Sequence, residues 1–119
     1  MNDPLKEKSF AFALRIIKLY KHLEKVEKGF PVNRQILRSG TNPGAMVREA
    51  KNAESSKDFI HKLSIAQKEI SETMYWLELL NKSNYIDKEA FDSVNLDAIE
   101  ILKILTASIK TKKKNIVNN

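Results

Sequence analysis

The chain has 119 residues and a formal net charge of +6, from 21 basic and 15 acidic side chains. This length can bury one hydrophobic core and leaves little room for a second. With no cysteine and only three glycines and three prolines, the composition excludes disulfides and thiolate metal sites and disfavours an all-β domain. No apolar run is long enough for a signal peptide or a membrane span, so we expect a cytoplasmic protein without a membrane partner.

The first predicted helix runs from Pro4 to Lys28. Asp3 is a suitable N-cap, Pro4 suits the first helical position, and Gly29 ends the helix. The apolar residues recur at steps of three and four, which predicts one wide apolar face. Two sets form this face: Phe10, Ala13, Leu14, Ile17 and Tyr20, together with Phe12, Ile16, Leu19, Leu23 and Val26.

The second predicted helix runs from Val32 to Ala53 and contains Pro43. Because proline lacks an amide donor and clashes with the preceding turn, we expect a kink or break between Ser39 and Pro43. Gly40 and Gly44 would allow a neighbouring helix to approach closely, at a cost of about 1 kcal/mol each relative to alanine.

The third predicted helix, from Ser56 to Asn81, has the strongest periodicity. Apolar surface outside its main seam, including Tyr75, Trp76 and Leu79, exceeds the need of one core face and indicates a second contact, within the chain or with another subunit. The main seam repeats as a heptad pattern: Phe59, Leu63, Ala66, Ile70, Thr73, Leu77 and Leu80.

The fourth predicted helix runs from Asp87 to Thr111, and residues 112–119 are expected to form a basic, frayed C-terminal tail. The predicted domain is therefore residues 1–111. Short connections favour antiparallel neighbours, so we predict an all-α, antiparallel up-down-up-down four-helix bundle. The inward stripe of this helix is Phe91, Val94, Ala98, Ile101 or Leu102, Leu105 and Ile109.

Charge is distributed unevenly along the chain. Residues 1–57 carry 12 basic and 6 acidic side chains, residues 58–109 carry 5 and 9, and residues 110–119 carry four lysines and no acid. This asymmetry could attract a polyanion to one surface, or hold one subunit against its neighbour.

The sequence offers no pattern for catalysis, for a cofactor or for a metal. His22 and His61 lie on different predicted helices, and the inward positions of the bundle are apolar. No phosphate-binding glycine loop and no nucleophile motif occurs. We therefore predict no catalytic residue, no cofactor and no metal ligand, and classify the protein as a non-enzyme.

Two basic stripes are the candidate functional surface. They lie on the first two predicted helices, where helical spacing places their members on common faces, and such a hairpin could follow a phosphate backbone. Lysine-rich faces also serve solubility alone, which is the simpler alternative. The candidate nucleic-acid-binding residues are Arg15, Lys18, Lys25, Arg34, Arg38 and Arg48.

Two segments resemble a known family. Residues 36–50 read ILRSGTNPGAMVREA and resemble the second-helix signature of small four-helix-bundle proteins encoded within intervening sequences of bacterial 23S ribosomal RNA genes. Residues 56–66 and 69–80 resemble the third-helix signature, and the matching stretches span most of residues 10–80. Pro43 and Met46 depart from the family, which tends to have a β-branched or small residue and often an asparagine at these positions.

The resemblance implies a bundle that assembles as a ring-like homopentamer. The family carries a ribosomal-protein label that reflects gene location, and its relatives include the accessory protein of diversity-generating retroelements, which works with a reverse transcriptase and nucleic acid. We therefore expect a non-catalytic oligomer that binds RNA or DNA electrostatically through its basic N-terminal hairpin and tail. The alternative is a protein–protein interaction scaffold that recruits a partner protein, in which Arg38 and Arg48 could pair with acidic residues of a neighbouring subunit.

Overall fold

The computed structural model describes residues 3–118, and this part of the chain forms four helices without a strand. Helix α1 spans Pro4–Val26, α2 Pro31–Lys51, α3 Ser56–Lys82 and α4 Lys88–Asn118. Each of α1 and α3 packs against both α2 and α4. The bundle measures 52 × 25 × 22 Å. The prediction of an all-α, antiparallel four-helix bundle is confirmed.

Local side chains fix where the helices begin. The side chains of Asp3, Ser55 and Asp87 each accept a hydrogen bond from the backbone N–H three residues ahead, at 3.1, 3.0 and 2.8 Å. Each bond satisfies a donor that the first helical turn would otherwise leave free. Gly29, with φ of +77°, turns the chain between α1 and α2.

The core follows the predicted seams of α3 and α4. All predicted seam residues of α3 are buried except Phe59, which is partly buried, and α4 buries its inward stripe from Val94 to Ile109. Ser39 and Thr73 are the buried polar pair between α2 and α3, with their hydroxyl oxygens 2.9 Å apart.

Only one of the two apolar sets of α1 enters this core. Phe12, Ile16 and Leu23 are almost fully buried, whereas Phe10, Leu14 and Ile17 are 51%, 54% and 38% exposed. The predicted wide apolar face is therefore only partly buried, because a helix with two neighbours covers only the stripe that points between them.

Of the kink or break expected between Ser39 and Pro43, the break does not occur, because α2 continues through Pro43. Pro43 is buried, and tertiary packing of this kind commonly stabilises a helix that lacks one hydrogen bond. Thr41 donates its hydroxyl to the Leu37 carbonyl at 2.7 Å, one turn earlier in the same segment.

Helix α4 continues to Asn118 rather than ending near Thr111, which corrects the predicted frayed tail for residues 112–118. Residue 119 lies outside the described residues. The extension runs beside the first turn of α3, where the Lys112 ammonium lies 5.0 Å from the centroid of the Phe59 ring. This cation–π contact and the lack of helix-breaking residues explain the continuation.

Candidate nucleic-acid interface

Arg15 lies in the seam between α1 and α4. Its guanidinium donates to the Asp97 carboxylate at 2.6 Å and to the Ser93 hydroxyl and carbonyl at 2.9 and 3.3 Å. Lys8 pairs with Glu100 in the same seam. The hydrogen bond with Glu100 raises the pKa of Lys8 above its ordinary value. These contacts join α1 to α4, so Arg15 is a structural cation rather than a free one.

Arg38 is committed in the same way on the opposite side of the bundle. It pairs with Glu69 at 2.8 Å and with Glu72, both on α3. The Trp76 indole N–H also donates to Glu72, at 2.9 Å. Arg38, for which pairing with acidic residues of a neighbouring subunit was one alternative, therefore finds carboxylate partners within its own chain.

Arg48 lies above a ring rather than beside a carboxylate. Its guanidinium carbon is 5.3 Å from the centroid of Phe10, an arrangement that keeps the charge at the surface. Beside this pair a shallow cleft of about 230 Å³ opens between α1 and α2, with Ala13, Gly44 and Ala45 in its lining. The arginine therefore belongs to the apolar end of α1, away from the other candidates.

The exposed surface of α1 divides along its length. Phe10, Leu14 and Ile17 are exposed in its first part, and the exposed residues that follow are mostly basic: Lys18, Lys21, His22 and Lys25, with Val26 at the end. Arg34, at the start of α2, is exposed at the same end of the hairpin. We call the following residues the hairpin basic cluster: Lys18, Lys21, Lys25, Lys28 and Arg34.

The hairpin basic cluster is free of ion pairs within residues 3–118. The nearby acids of α1 have other partners. Glu24 accepts from the buried Asn33 amide at 2.7 Å, and Glu27 accepts from the Tyr85 hydroxyl at 2.8 Å. The bond to Glu27 raises the pKa of Tyr85. Since these carboxylates stabilise the turn, they leave the lysine charges to the solvent.

The structure thus separates the six predicted site residues. Lys18, Lys25 and Arg34 remain together, whereas Arg15, Arg38 and Arg48 each serve a different helix contact. Sequence analysis had left Lys21 and Lys28 out of the site, although Lys21, Lys25 and Lys28 follow one another at steps of four and three. That spacing was the signal for a single cationic surface.

The described residues contain no group of three or more histidine, aspartate or glutamate side chains placed to hold a metal ion. Among the same residues, we find no helix with the length and apolar character needed to cross a membrane. The surface features that remain are the exposed cations and the exposed apolar side chains, both of which are suited to binding.

Comparison with known proteins gives a family and no activity. Residues 4–107 match the family described as 23S rRNA-intervening sequence protein, so the chain belongs to this family. A solved structure from Bacteroides thetaiotaomicron, described as a protein of unknown function from the S23 ribosomal protein family, is 53% identical. The match covers 89% of this chain and 98% of the chain of that structure, with a TM-score of 0.87. No curated protein matches the chain.

Proposed function

We propose that this member of the 23S rRNA-intervening sequence protein family is a non-catalytic, self-associating bundle that binds the phosphate backbone of RNA or DNA through its hairpin basic cluster. One observation carries the proposal: the arginines in the helix seams are neutralised by carboxylates, whereas the five cations of the cluster face solvent without an acidic partner in the described chain.

The chemistry of the cluster favours backbone contact over base reading. Lysines are point charges that attract phosphates without directional base contacts. Two aromatic side chains lie among these cations in the sequence, Tyr20 and Phe30. Both are partly buried and Phe30 stacks on Tyr85, so they are less available for base stacking than the aromatic side chains of single-strand readers. Binding should therefore be weakly dependent on sequence and strongly dependent on salt, because each neutralised phosphate releases counterions.

The test measures affinity for a labelled duplex RNA and a matched duplex DNA by fluorescence anisotropy over a salt series. We expect Lys18→Gln, Lys21→Gln and Lys25→Gln together to weaken binding at least about 10-fold and to reduce the salt slope by about 3. A matched control replaces the exposed Lys57, Lys68 and Lys103 by glutamine, which removes the same net charge away from the hairpin end of the bundle. Equal losses in both variants would attribute binding to net charge and overturn the site.

Self-association is the part of the proposal that the apolar half of α1 supports. Phe10, Leu14 and Ile17 are exposed together on one helix, as are Tyr75 and Leu79 on α3, with 56% and 39% of their surfaces accessible. Adjacent exposed apolar side chains of this size are typical of protein contacts. We therefore propose a homo-oligomer and, following the family resemblance, a homopentamer.

Light scattering after size exclusion tests the assembly. Leu14→Glu should lower the mass towards that of the monomer, while Leu96→Glu, at a 68% exposed position of α4, should leave it unchanged. A monomeric parent protein would contradict self-association.

The same apolar surfaces support the second candidate function, a scaffold that recruits a partner protein without touching nucleic acid. The anisotropy experiment separates the two functions. A parent protein that binds neither RNA nor DNA at low salt leaves the scaffold as the function of this chain.

A further inference from the structure

We infer that one protomer holds two separate nucleic-acid segments, one at each end of the bundle, and so bridges them. The inference rests on the proposed function for the first end, the hairpin basic cluster. It adds a second binding site at the other end of the bundle. Together the two sites bridge two nucleic-acid segments, which neither site does alone.

The second end is the last part of α4. Lys110, Lys113 and Lys114 are exposed there, and Lys112 is held against the Phe59 ring. The helical extension to Asn118 fixes these lysines on an ordered scaffold. No acidic residue follows Glu100 in the sequence. We call Lys110, Lys112, Lys113 and Lys114 the α4 basic end.

The antiparallel packing of α1 and α4 places the two cationic groups at opposite ends. Arg15 and Asp97 are in contact and mark a common level. From that level Lys25 lies about 15 Å towards one end, and Lys112 lies about 22 Å towards the other, at 1.5 Å per residue. The resulting separation of about 37 Å is several times the Debye length of about 8 Å at physiological salt, so each group attracts phosphates independently.

The cations between the two groups are paired or widely spaced. On α4, the exposed Lys103 lies roughly 14 Å from Lys18 and 11 Å from Lys110 along the bundle axis. On the α1–α4 side, Lys8 and Arg15 are neutralised by Glu100 and Asp97, and the outer part of α1 at this level is apolar. On α3, successive exposed lysines at 57, 68 and 82 are roughly 16 and 21 Å apart along the helix, again beyond the Debye length. A single nucleic-acid backbone laid along the bundle would release counterions at the lysines of the two ends and would release few in the region between them.

Two occupants of the α4 basic end can be distinguished physically. An acidic polypeptide would use the lysines and would also need apolar anchor sites. Ile116 and Val117, 40% and 83% exposed, would serve a polypeptide as such anchors. Four lysines within five residues and no acid after Glu100, however, match the closely spaced charges of a phosphate backbone better. We therefore assign nucleic acid to this end and treat an acidic polypeptide as an outcome of the test.

The experiment counts bound segments per protomer by isothermal titration calorimetry with a duplex RNA hairpin of about five base pairs. Such a hairpin is roughly 17 Å long at 3.4 Å per pair, which is shorter than the roughly 24 Å between Lys18 and Lys110, the nearest members of the two groups. We expect about two hairpins per protomer for the parent chain and about one for the variant Lys110→Gln, Lys113→Gln, Lys114→Gln. The count per protomer is independent of the number of subunits in the assembly.

Location is read with single-cysteine dyes, which are unambiguous because the chain has no cysteine of its own. Asn115→Cys reports a labelled hairpin at the α4 basic end, and Ser83→Cys reports one near the hairpin basic cluster. We expect the α4 variant to lose energy transfer at position 115 and to keep it at position 83. A control variant with Lys68→Gln and Lys103→Gln, two exposed positions between the ends, should keep both signals.

The outcomes separate this inference from the proposed function. One hairpin per protomer in the parent chain, or an unchanged count in the α4 variant, overturns bridging while leaving the hairpin basic cluster intact. An acidic peptide that binds at position 115 where the hairpin does not would also overturn it. Loss of all hairpin binding in the parent chain would instead reject the proposed function itself.

Discussion

The two seams that α1 makes with its neighbours are built differently. Against α2 the seam is dry and close, since Gly40 packs under Ile16 and Gly44 under the Ser9 backbone. Against α4 the outer edge of the seam is polar and is closed by the ion pairs of Lys8 and Arg15. The comparison teaches that steric fit fixes one side of α1 and charge fixes the other, so only the cations beyond both seams remain available for a ligand.

The largest expected effect comes from the dry seam. A β-carbon at position 40 would lie 2.6 Å from Cγ1 and 2.8 Å from Cγ2 of Ile16, which is fully buried. A β-branched side chain in a helix has little freedom to move aside. We expect Gly40→Ala to lower the free energy of unfolding by about 1–3 kcal/mol, despite the better helix propensity of alanine. Urea denaturation measures this loss.

Ile16→Ala provides the control for that steric contact. Alone it should cost about 2–5 kcal/mol, and in the Gly40→Ala background it should cost less, because it removes all three atoms that a β-carbon at position 40 would meet. Strictly additive effects would show that the loss at position 40 arises elsewhere.

The α2–α3 seam contains a buried pair of hydroxyl groups, whereas the α1–α2 seam contains glycine. Breaking this pair should lower the free energy of unfolding by an intermediate amount. Thr73→Val keeps the shape of the side chain and leaves the buried Ser39 hydroxyl without its partner at 2.9 Å. We expect a loss of about 1–2 kcal/mol in the free energy of unfolding. Adding Ser39→Ala should recover part of it, and a double variant as unstable as the sum of the two would contradict the pairing.

At the polar seam the effect should be smaller and dependent on salt. Both partners of the Arg15–Asp97 pair are more than 40% exposed, and such pairs contribute at most about 1 kcal/mol. Arg15→Ala should therefore shift the unfolding midpoint slightly at low salt and less at high salt. A large shift that salt does not change would reveal a packing role for the arginine instead.

The smallest expected effect is the pH dependence of stability that arises from Asp3, at the end of the α1–α2 seam. The hydrogen bond from Lys51, with that from the Lys6 amide, holds the pKa of Asp3 below its ordinary value. Since the pKa is lower in the folded chain than in the unfolded chain, the carboxylate stabilises the fold above about pH 4, and this contribution is lost as pH falls through the folded pKa.

Asp3→Asn keeps an oxygen for the helix cap and removes the charge. Parent and variant should differ in urea midpoint at neutral pH, and the difference should shrink as pH falls below about 4, the ordinary pKa of the carboxyl. A difference that persists unchanged at low pH would assign it to the cap geometry.

Much of the fold could be predicted from periodicity, and the site only in part. The heptad seam of α3 identified its buried face because seven positions agree on one stripe. On α1 two stripes of equal apolar character competed, and the sequence contains no information on which of them faces α2 and α4. For the same reason the sequence predicted that Arg15 and Lys18 lie on one stripe. Their side-chain directions differ by about 60° around the helix axis, so Arg15 contacts α4 and Lys18 is exposed to solvent.

By itself the sequence determined the helical class, the three connections and the net basic charge, because these follow from local spacing, capping groups and composition. The tertiary structure alone decided which cations are free. An ion pair joins residues as distant as Arg15 and Asp97, or Arg38 and Glu69, and its formation depends on which helices become neighbours. Charge is therefore a property of the sequence, whereas available charge is a property of the packed bundle.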